Sequence, residues 1–343
     1  MNGLTCPLPA SELPRIVLAH GGGGRLMHRL IETVFCPAFG NAADCDAAVL
    51  PPLSGRLALT TDAFVVKPLV FPGGDIGTLA VHGTINDLAM MGARPLWLCA
   101  GFILEEGLPL ETLHRIVGSA ARAAAAAGVR LVAGDTKVVE HGRCDGMYIV
   151  TSGVGVLEHD REIAPASVRP GDAIVLSGDI GRHGIAVLAA RHELEFEDPP
   201  HSDSAPLSGP VLDLLRAGVE LHCLRDLTRG GLATALVEIA RASRCRLEIR
   251  EPDVPVLPAV QEACELLGFD PLYVANEGRM VLFLPAAQVE TALAVLRRHP
   301  VSAGAVAIGK VCGDGGAEVT AVNALGTSRV LDLLSGEQLP RIC

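Results

Sequence analysis

Short apolar runs with the composition of β-strands alternate with helical segments along most of this chain, and this alternation limits the folds available to it. The clearest examples are the strand-like runs 57–61, 95–104 and 147–156 and the helical segments 77–91 and 110–127. The second half repeats the pattern, from a strand at 173–177 to a helix at 286–298. Strands that alternate with helices build sheets covered by helices, so we predict an α/β (α+β) fold.

The length of the chain predicts two domains, because 343 residues exceed one ordinary core. The turn Pro170-Gly171-Asp172 precedes a new strand, which places the domain junction within 158–170. The segment 195–206 is polar and proline-rich and reads as an exposed loop. We expect four parts, namely an N-terminal arm (1–43), a first domain (44–160), a second α/β domain (161–322) and a mobile tail (323–343).

Composition and charge exclude several classes of protein. The net charge of −11 disfavours nucleic acid. The best apolar run, 95–104, is too short to span a membrane. The N-terminus lacks the pattern of a secretory signal, so we expect a cytoplasmic protein. None of the ten cysteines forms a C-x-x-C pair, which argues against a zinc site and favours thiols in a reducing compartment.

Four successive glycines, Gly21, Gly22, Gly23 and Gly24, follow the strand-like apolar run 16–20 and precede a helical segment that starts at Arg25. Backbone N–H groups in such a loop can face a phosphate. The spacing matches neither the P-loop nor the dinucleotide fingerprint, and a flexible lid or linker is an equal alternative on this feature alone.

Acidic residues cluster near the ends of the first domain's predicted strands. They are Asp44, Asp46, Asp62, Asp75, Asp87 with its neighbour Asn86, and Asp135. A carboxylate beside a buried strand is costly unless it is solvated, paired or bound to a metal. The set therefore indicates a magnesium–nucleotide site. For any single member, capping a helix or a turn is an equal alternative.

The last residue, Cys343, follows a segment that reads as a loose tail. Pro340 fixes its own φ and favours an extended approach to the thiol. The residues from Asn323 onward span about 60 Å when extended, enough to carry a thiol across a domain or into a partner. Arg341 could favour the thiolate or contact a phosphate. Most cysteines are small buried hydrophobes, but this position is a poor one for a core.

Six motifs, in this order, resemble the aminoimidazole ribonucleotide synthetase superfamily. They are His20–Gly24, Thr60–Asp62, Phe71–Gly77, Asn86–Pro95, Gly134–Lys137 and Arg225–Gly231. The ending Pro340-Arg341-Ile342-Cys343 is similar to that of one branch, the HypE family of hydrogenase maturation proteins. The resemblance runs from about Ile16 to the last residue.

The resemblance implies a two-domain superfamily fold and an ATP-hydrolysing carbamoyl dehydratase. In the HypE family a carbamoyltransferase, HypF, loads a carbamoyl group on the terminal cysteine. ATP then drives its dehydration to a thiocyanate, and the cyano group passes to iron for the [NiFe]-hydrogenase centre through the HypC–HypD scaffold complex. A homodimer formed through the first domains, whose sheets make a shared barrel, is also implied. The alternatives are another superfamily enzyme, such as a selenophosphate synthetase with Cys6 as its reactive residue, or a non-catalytic metal scaffold.

The resemblance also implies roles for individual residues. Catalytic roles fall on Cys343 as carrier and on Lys137 and Glu277 as groups that take protons from the carboxamide nitrogen. The magnesium region corresponds to Asp44, Asp62, Asp87 and Asp135. The wider nucleotide site adds Gly21, Gly22, Gly23, Gly24, Asp75, Asn86, Thr136, Arg225 and Arg229. Arg225 and Arg229 could equally form ion pairs at a domain interface, and His183 has no assigned role.

Overall fold

The computed structural model of this chain describes residues 13–40, 47–192, 199–334 and 342–343. Within these ranges the chain forms two sheets, each packed against helices, in agreement with the predicted α/β (α+β) class. The arm contributes α1 (Arg25–Leu30), which continues through a π-helical stretch (Ile31–Phe35) into α2 (Cys36–Phe39). No helix of the described residues is long and apolar enough to cross a membrane.

The first sheet has four strands in the order β1-β6-β4-β5. Its strands are β1 (Arg56–Phe64), β4 (Ala93–Glu105), β5 (Arg130–Val139) and β6 (Met147–Leu157), and a small ribbon of β2 (Val70–Phe71) and β3 (Gly74–Asp75) lies apart. β6 is antiparallel to β1 and β4, and β4 is parallel to β5. The parallel pair is joined through α4 (Leu110–Ala126), the kind of crossover that parallel strands require.

Helices α3 (Ile76–Met90) and α4 form the helical layer of this unit, and α3 contacts strands of the sheet. α4 buries Leu113, Ile116, Val117 and Ala120, whose spacing gives one apolar stripe. α3 is buried on nearly all sides because it also contacts the second unit.

The other face of the first sheet is open. Period-two alternation along β1 turns Leu57 and Leu59 outward, with 59% and 76% of their surfaces exposed. Val150 on β6 and Cys99 on β4 are exposed as well. This face therefore presents apolar side chains that no helix of the described residues covers.

The second sheet has seven strands in the order β13-β12-β9-β11-β7-β10-β8. Its strands are β7 (Asp172–Leu176), β8 (Cys223–Asp226), β9 (Cys245–Arg250), β10 (Met280–Pro285), β11 (Val306–Asp314), β12 (Val319–Val322) and β13 (Ser328–Leu331). The helices of this unit are α5 (Arg182–His192), α6 (Ser208–Arg216), α7 (Gly231–Ser243), α8 (Pro258–Leu267) and α9 (Val289–Leu296). All pairings are antiparallel except β9–β12, so the unit is not a doubly wound parallel sheet.

Two local predictions were wrong. The apolar run 16–20 does not form a strand, because it makes a single bridge at Arg15 and then enters a 3₁₀ turn. The predicted exposed loop 195–206 is partly buried: residues 193–198 lie outside the described residues, but Ser202 and Asp203 are 8% and 6% exposed. The Ser202 hydroxyl is hydrogen-bonded to His183 and the Asp203 carboxylate to the Glu277 N–H, which explains how these polar side chains are buried.

Candidate functional site

Three carboxylates from separate elements lie close enough to act on one another electrostatically. Asp62 comes from β1, Asp87 from α3 and Asp226 from the end of β8. Asp87 accepts a 2.7 Å hydrogen bond from the Thr60 hydroxyl, and Asp62 accepts one from the backbone N–H of Ala63. We call Asp62, Asp87 and Asp226 the acid cluster.

Burial raises the pKa of all three carboxyl groups of the acid cluster. The pKa of Asp226 reaches about 7, because burial is reinforced by the negative charges of Asp87 and Asp62. Like charges brought together in a poorly solvated place oppose ionisation. The cluster is therefore a place that favours added positive charge.

Two arginines bring part of that charge. Arg225 lies on β8 and Arg229 follows it in the turn before α7, and both lower the pKa of Asp87. Arg225 is also paired with Glu238 of α7 at 2.7 Å, an ion pair within the second unit and not the domain-interface pair considered as an alternative. Both side chains are exposed, which leaves them accessible to a phosphate.

Residues 342–343 pack inside the molecule beside the acid cluster. Ile342 is 5% exposed and belongs to the same cluster of buried side chains as Phe71. The backbone N–H of Val65 donates to a main-chain carboxylate oxygen of Cys343 at 3.1 Å. His183 is buried and donates from Nε2 to the carbonyl oxygen of Ile342 at 2.6 Å, which gives this histidine a role.

Burial raises the pKa of the Cys343 thiol to about 12, and the negative charge of Glu277 adds to the effect. Arg229 opposes it, whereas Asp62 and Asp226 reinforce it. The thiol is therefore protonated in this position. Arg341, for which favouring the thiolate and contacting a phosphate were both considered, lies outside the described residues.

Glu277 is close enough to both the acid cluster and Cys343 to interact with them electrostatically. It is 3% exposed, and its Oε1 atom is buried without a hydrogen-bond partner among the described residues. Burial raises its pKa well above the usual value, and the charges of Asp203 and Asp226 add to this. A buried carboxyl with an unsatisfied oxygen next to a thiol is a candidate for proton transfer.

A second group of predicted site residues lies on β5. Lys137 and Asp135 form an exposed ion pair at 2.5 Å, which lowers the pKa of Asp135. The glycine loop packs against the same strand, because a Cβ on Gly21 would come within 3.0 Å of the backbone nitrogen of Val138. Gly23 adopts φ +72°, a conformation that favours glycine. We call Gly21–Gly24, Asp135 and Lys137 the β5 group.

The β5 group and the acid cluster lie at opposite edges of the first sheet. β1 carries Asp62 and β5 carries Asp135, with β6 and β4 between them. Three strand spacings of about 4.8 Å separate the two edges by roughly 14 Å. The structure thus divides the predicted site of one chain into two parts.

Three predicted nucleotide ligands have other positions. The Asp75 carboxylate caps α3, where it accepts hydrogen bonds from the N–H groups of Gly77 and Thr78. The side chain of Thr136 is 5% exposed, buried on the face opposite to Lys137.

Asn86 uses its amide for hydrogen bonds to the main chain at Ala205, Leu207 and Glu277. Asp44 lies outside the described residues.

Sequence reasoning missed two members of this region. Asp226 belongs to the motif Arg225–Gly231, but the short strand β8 that carries it was not predicted. Asp203 was taken as part of an exposed loop. Among the described residues no group of three His, Cys, Asp or Glu side chains is arranged to hold a metal ion by itself.

Comparison with protein families identifies both halves of the chain. Residues 44–157 match the model of the AIR synthase related protein, N-terminal domain, and residues 169–322 match that of the C-terminal domain. The carbamoyl dehydratase HypE of Rhodobacter capsulatus is 51% identical over 334 residues, which cover 96% of this chain and 98% of that protein.

Two solved structures show the same arrangement. The crystal structure of the hydrogenase maturation protein HypE in complex with ATP matches with a TM-score of 0.92 and 48% identity, covering 95% of this chain and 99% of that one. The crystal structure of a HypE–HypF complex matches with a TM-score of 0.79 and 47% identity, covering 89% and 99%. These relatives support neither a selenophosphate synthetase nor a metal scaffold, and Cys6 lies outside the described residues.

Proposed function

This chain belongs to the AIR synthase-related family and, within it, to the HypE carbamoyl dehydratases, and on that premise we propose that it converts an S-carbamoyl group on Cys343 into a thiocyanate at the expense of ATP. The observation that carries the assignment of residues is the position of Cys343, which packs beside Glu277 and the acid cluster. A carbamoyl group bonded to that sulfur would therefore lie beside Glu277 and the acid cluster.

The reaction requires an oxygen to leave and two protons to be removed. The carboxamide oxygen attacks the γ-phosphorus of ATP, the bond to the β-phosphate breaks and ADP leaves. The nitrogen loses two protons, the C–O bond breaks with phosphate as the leaving group, and the C≡N bond of the thiocyanate forms. Positioning and neutralisation of charge account for most catalysis in a phosphoryl transfer of this kind.

Glu277 is the proposed acceptor of a nitrogen proton, because it is the buried carboxyl with an unpartnered oxygen near Cys343. Its raised pKa makes it a stronger base once ionised, but also favours its protonated form. Positive charge must therefore approach Glu277 for it to act. Lys137 is the second proposed proton acceptor, and its own positive charge when protonated would favour ionised Glu277, although in a single chain Lys137 lies on the far edge of the sheet.

A homodimer resolves this separation. The open face of the first sheet carries the exposed Leu57 and Leu59, apolar side chains that a second copy would cover. We propose that the first domains pair through this face, so that the β5 group of one copy completes the acid cluster of the other. The glycine loop then covers the nucleotide phosphates. In this proposal the first domain spans residues 44–160 and the second spans residues 161–322.

Magnesium fits the acid cluster as a companion of ATP. The carboxyl groups of Asp62, Asp87 and Asp226 have raised pKa values because their charges are crowded, and a divalent cation would relieve that crowding. Mg²⁺ commonly takes one or two carboxylates together with phosphate and water oxygens, which agrees with the lack of a complete protein cage in the described residues. Bound there, it would neutralise charge on the transferred phosphoryl group.

The proposed partners are the carbamoyltransferase HypF, which would load Cys343, and the HypC–HypD scaffold, which would receive the cyano group. A solved HypE–HypF complex supports the first of these. We propose a cytoplasmic setting for all of them. The first part of the predicted tail 323–343 is fixed in the second sheet, because β13 (Ser328–Leu331) pairs with β12 and Leu331 is buried. In this scheme only the residues after β13 act as an arm that is docked for chemistry and undocked for loading and delivery.

The direct test weighs the C-terminal peptide after incubation with HypF, carbamoyl phosphate and bicarbonate, with and without added excess ATP. A carbamoyl group adds about 43 Da to Cys343, and its dehydration removes about 18 Da. A carbamoyl peptide that never loses that mass, while ATP is bound, would refute the function.

The shared site is tested by mixing two inactive variants, Lys137→Ala and Glu277→Gln. Random C2 pairing makes half of the dimers mixed, and each mixed dimer holds one intact site of two, so about a quarter of the wild-type rate should return. The matched control is a chain that carries both substitutions, mixed with itself. If the 1:1 mixture is as inactive as that control, the two groups do not meet across a dimer.

A further inference from the structure

The segment 202–207 lies between the two units and is hydrogen-bonded to both. On the side of the first unit, the backbone N–H of Ser202 donates to the carbonyl of Pro72 at 2.9 Å, and the Leu207 N–H donates to the Asn86 side chain at 2.8 Å. On the side of the second unit, the Ser202 hydroxyl is 2.8 Å from Nδ1 of His183. We call residues 202–207 the clamp segment.

Asp203 of the clamp segment binds the main chain at Glu277. One carboxylate oxygen accepts a hydrogen bond from the Glu277 N–H and the other from the Gly278 N–H, both at 3.1 Å. Asn86 donates to the Glu277 carbonyl oxygen at 3.2 Å. The main chain of Glu277 is thus bound on both sides.

The approach of the clamp segment depends on the absence of a side chain at position 278. A Cβ on Gly278 would lie 1.9 Å from the backbone oxygen of Asp203, closer than any real contact. Asp203 is 6% exposed, and both of its carboxylate oxygens bind the two N–H groups described above. Because both hydrogen bonds are charge-assisted and buried, they bind the Asp203 carboxylate firmly to the main chain at 277 and 278.

We propose that Asp203 is a positioning residue for Glu277: with Asn86 it fixes the Glu277 main chain, so that the carboxyl group meets the S-carbamoyl nitrogen in one orientation. This inference rests on the proposed function. It assigns Asp203 no contact with substrate, and it gives Asn86 a role in alignment in place of the predicted contact with nucleotide.

The charge of Asp203 has a second effect on the same group. The charged and titratable groups that act on Glu277 come from four elements: Asp203 from the clamp segment, Asp226 from β8, Asp62 from β1 and Asp87 from α3. Cys343 also lies beside it, and its protonated thiol is neutral. After burial, Asp203 is the largest cause of the raised pKa of Glu277. Removing this charge should therefore lower the pKa of Glu277.

The test is the variant Asp203→Asn, studied in the full-length protein with Cys343 already carbamoylated and ATP added in a single turnover. The neutral amide has the same shape, but it accepts at one of the two N–H groups instead of both. We expect the rate constant of dehydration at pH 7 to fall about 10- to 100-fold, the effect of losing one charge-assisted hydrogen bond. We also expect the rising limb of the pH–rate profile to move to lower pH by at least about half a unit.

A second variant, Asp203→Glu, separates position from charge. It keeps the charge but displaces the carboxylate, so the rate should fall while the rising limb stays within about 0.2 unit of wild type. The control is Asp213→Asn, which removes a half-exposed aspartate that pairs with Arg216 on α6. Its rate and profile should match those of wild type.

The outcomes are distinguishable. If wild type itself never loses the mass of water, the proposed function fails. If wild type turns over and Asp203→Asn keeps its rate and its pH profile, the positioning role alone is overturned. Hydrogen exchange at the amides of Glu277 and Gly278 provides a measurement without turnover. Exchange in Asp203→Asn should be at least about tenfold faster than in wild type, and equal exchange would contradict the clamp.

Discussion

Truncation of Ile342 to alanine measures how firmly the terminal residues are docked. The Ile342 side chain is 5% exposed and lies in the cluster of buried residues that includes Phe64 and Phe71. Ile342→Ala removes three buried carbon atoms, which at about 0.8 kcal/mol each costs roughly 2.4 kcal/mol. Since about 1.4 kcal/mol is a factor of ten, the undocked fraction should rise by about 50-fold.

The assay follows alkylation of Cys343 by a thiol reagent and quantifies the terminal peptide by mass. A thiol whose pKa is raised to about 12 by burial reacts when it is undocked, so the alkylation rate reports the undocked fraction. Cys312 is exposed and lies on β11, away from the proposed dimer face, so it serves as an internal reference whose rate should not change.

The matched control is Leu325→Ala, because Leu325 lies in the same terminal region but is 91% exposed. It should alter the Cys343 rate less than about twofold. If Ile342→Ala also changes that rate less than twofold while Cys312 reacts normally, burial of Ile342 does not hold the terminal residues in place.

Three further variants test separate contacts. Asp226→Asn, studied by thermal melts without magnesium, should raise the unfolding temperature more at pH 8 than at pH 5. The pKa of the Asp226 carboxyl is raised from 3.8 to about 7 in the folded state. Between these values the native state binds a proton that the unfolded state lacks, so the wild type loses stability as pH rises. Gly278→Ala should abolish dehydration in the mass assay, because its Cβ would meet backbone at 1.9 Å, whereas Gly304→Ala, with 3.6 Å to its nearest neighbour, should not. Asp75→Ala should cost about 1 to 2 kcal/mol in urea unfolding, as loss of a helix cap does, with ATP affinity in a titration unchanged.

Local pattern was sufficient for the long elements. The alanine-rich helix predicted at 110–127 is observed as α4 (Leu110–Ala126). Its apolar residues recur at helical spacing on one face, and Gly128 follows its end, so the local sequence indicates both the helix and its end. The strand predicted at 95–104 is contained in β4 (Ala93–Glu105). Both elements are set by residues close in sequence.

The local sequence pattern could not predict contacts between residues that are distant in sequence. β8 has four residues, and its pairing with β10 places Asp226 opposite Met280, which no local signal specifies. Asp203 reads as a polar loop residue, but its partners at 277 and 278 are more than 70 positions away. Its two hydrogen bonds compensate its burial, and composition cannot indicate them.

The set of acidic residues was a better guide than any single member. Asp62 and Asp87 do converge, whereas Asp75 adopts the alternative of a helix cap that was left open for each of them. Asp135 was grouped with them because it lies near the end of a predicted strand, as they do. The order β1-β6-β4-β5 places it at the other edge, since sequence order does not fix the order of strands in a sheet.

The docked position of Cys343 also restricts when its thiol can be loaded. A thiol with a pKa of about 12 is protonated near neutral pH, and the acidic groups around it oppose the thiolate that a nucleophile requires. A neutral S-carbamoyl group has no such penalty, because it places no negative charge beside Glu277. The same surroundings therefore disfavour loading and accept the loaded group. Loading must take place with residues 342–343 undocked, so Ile342→Ala should accelerate carbamoylation by HypF while slowing the ATP-dependent loss of water that follows it.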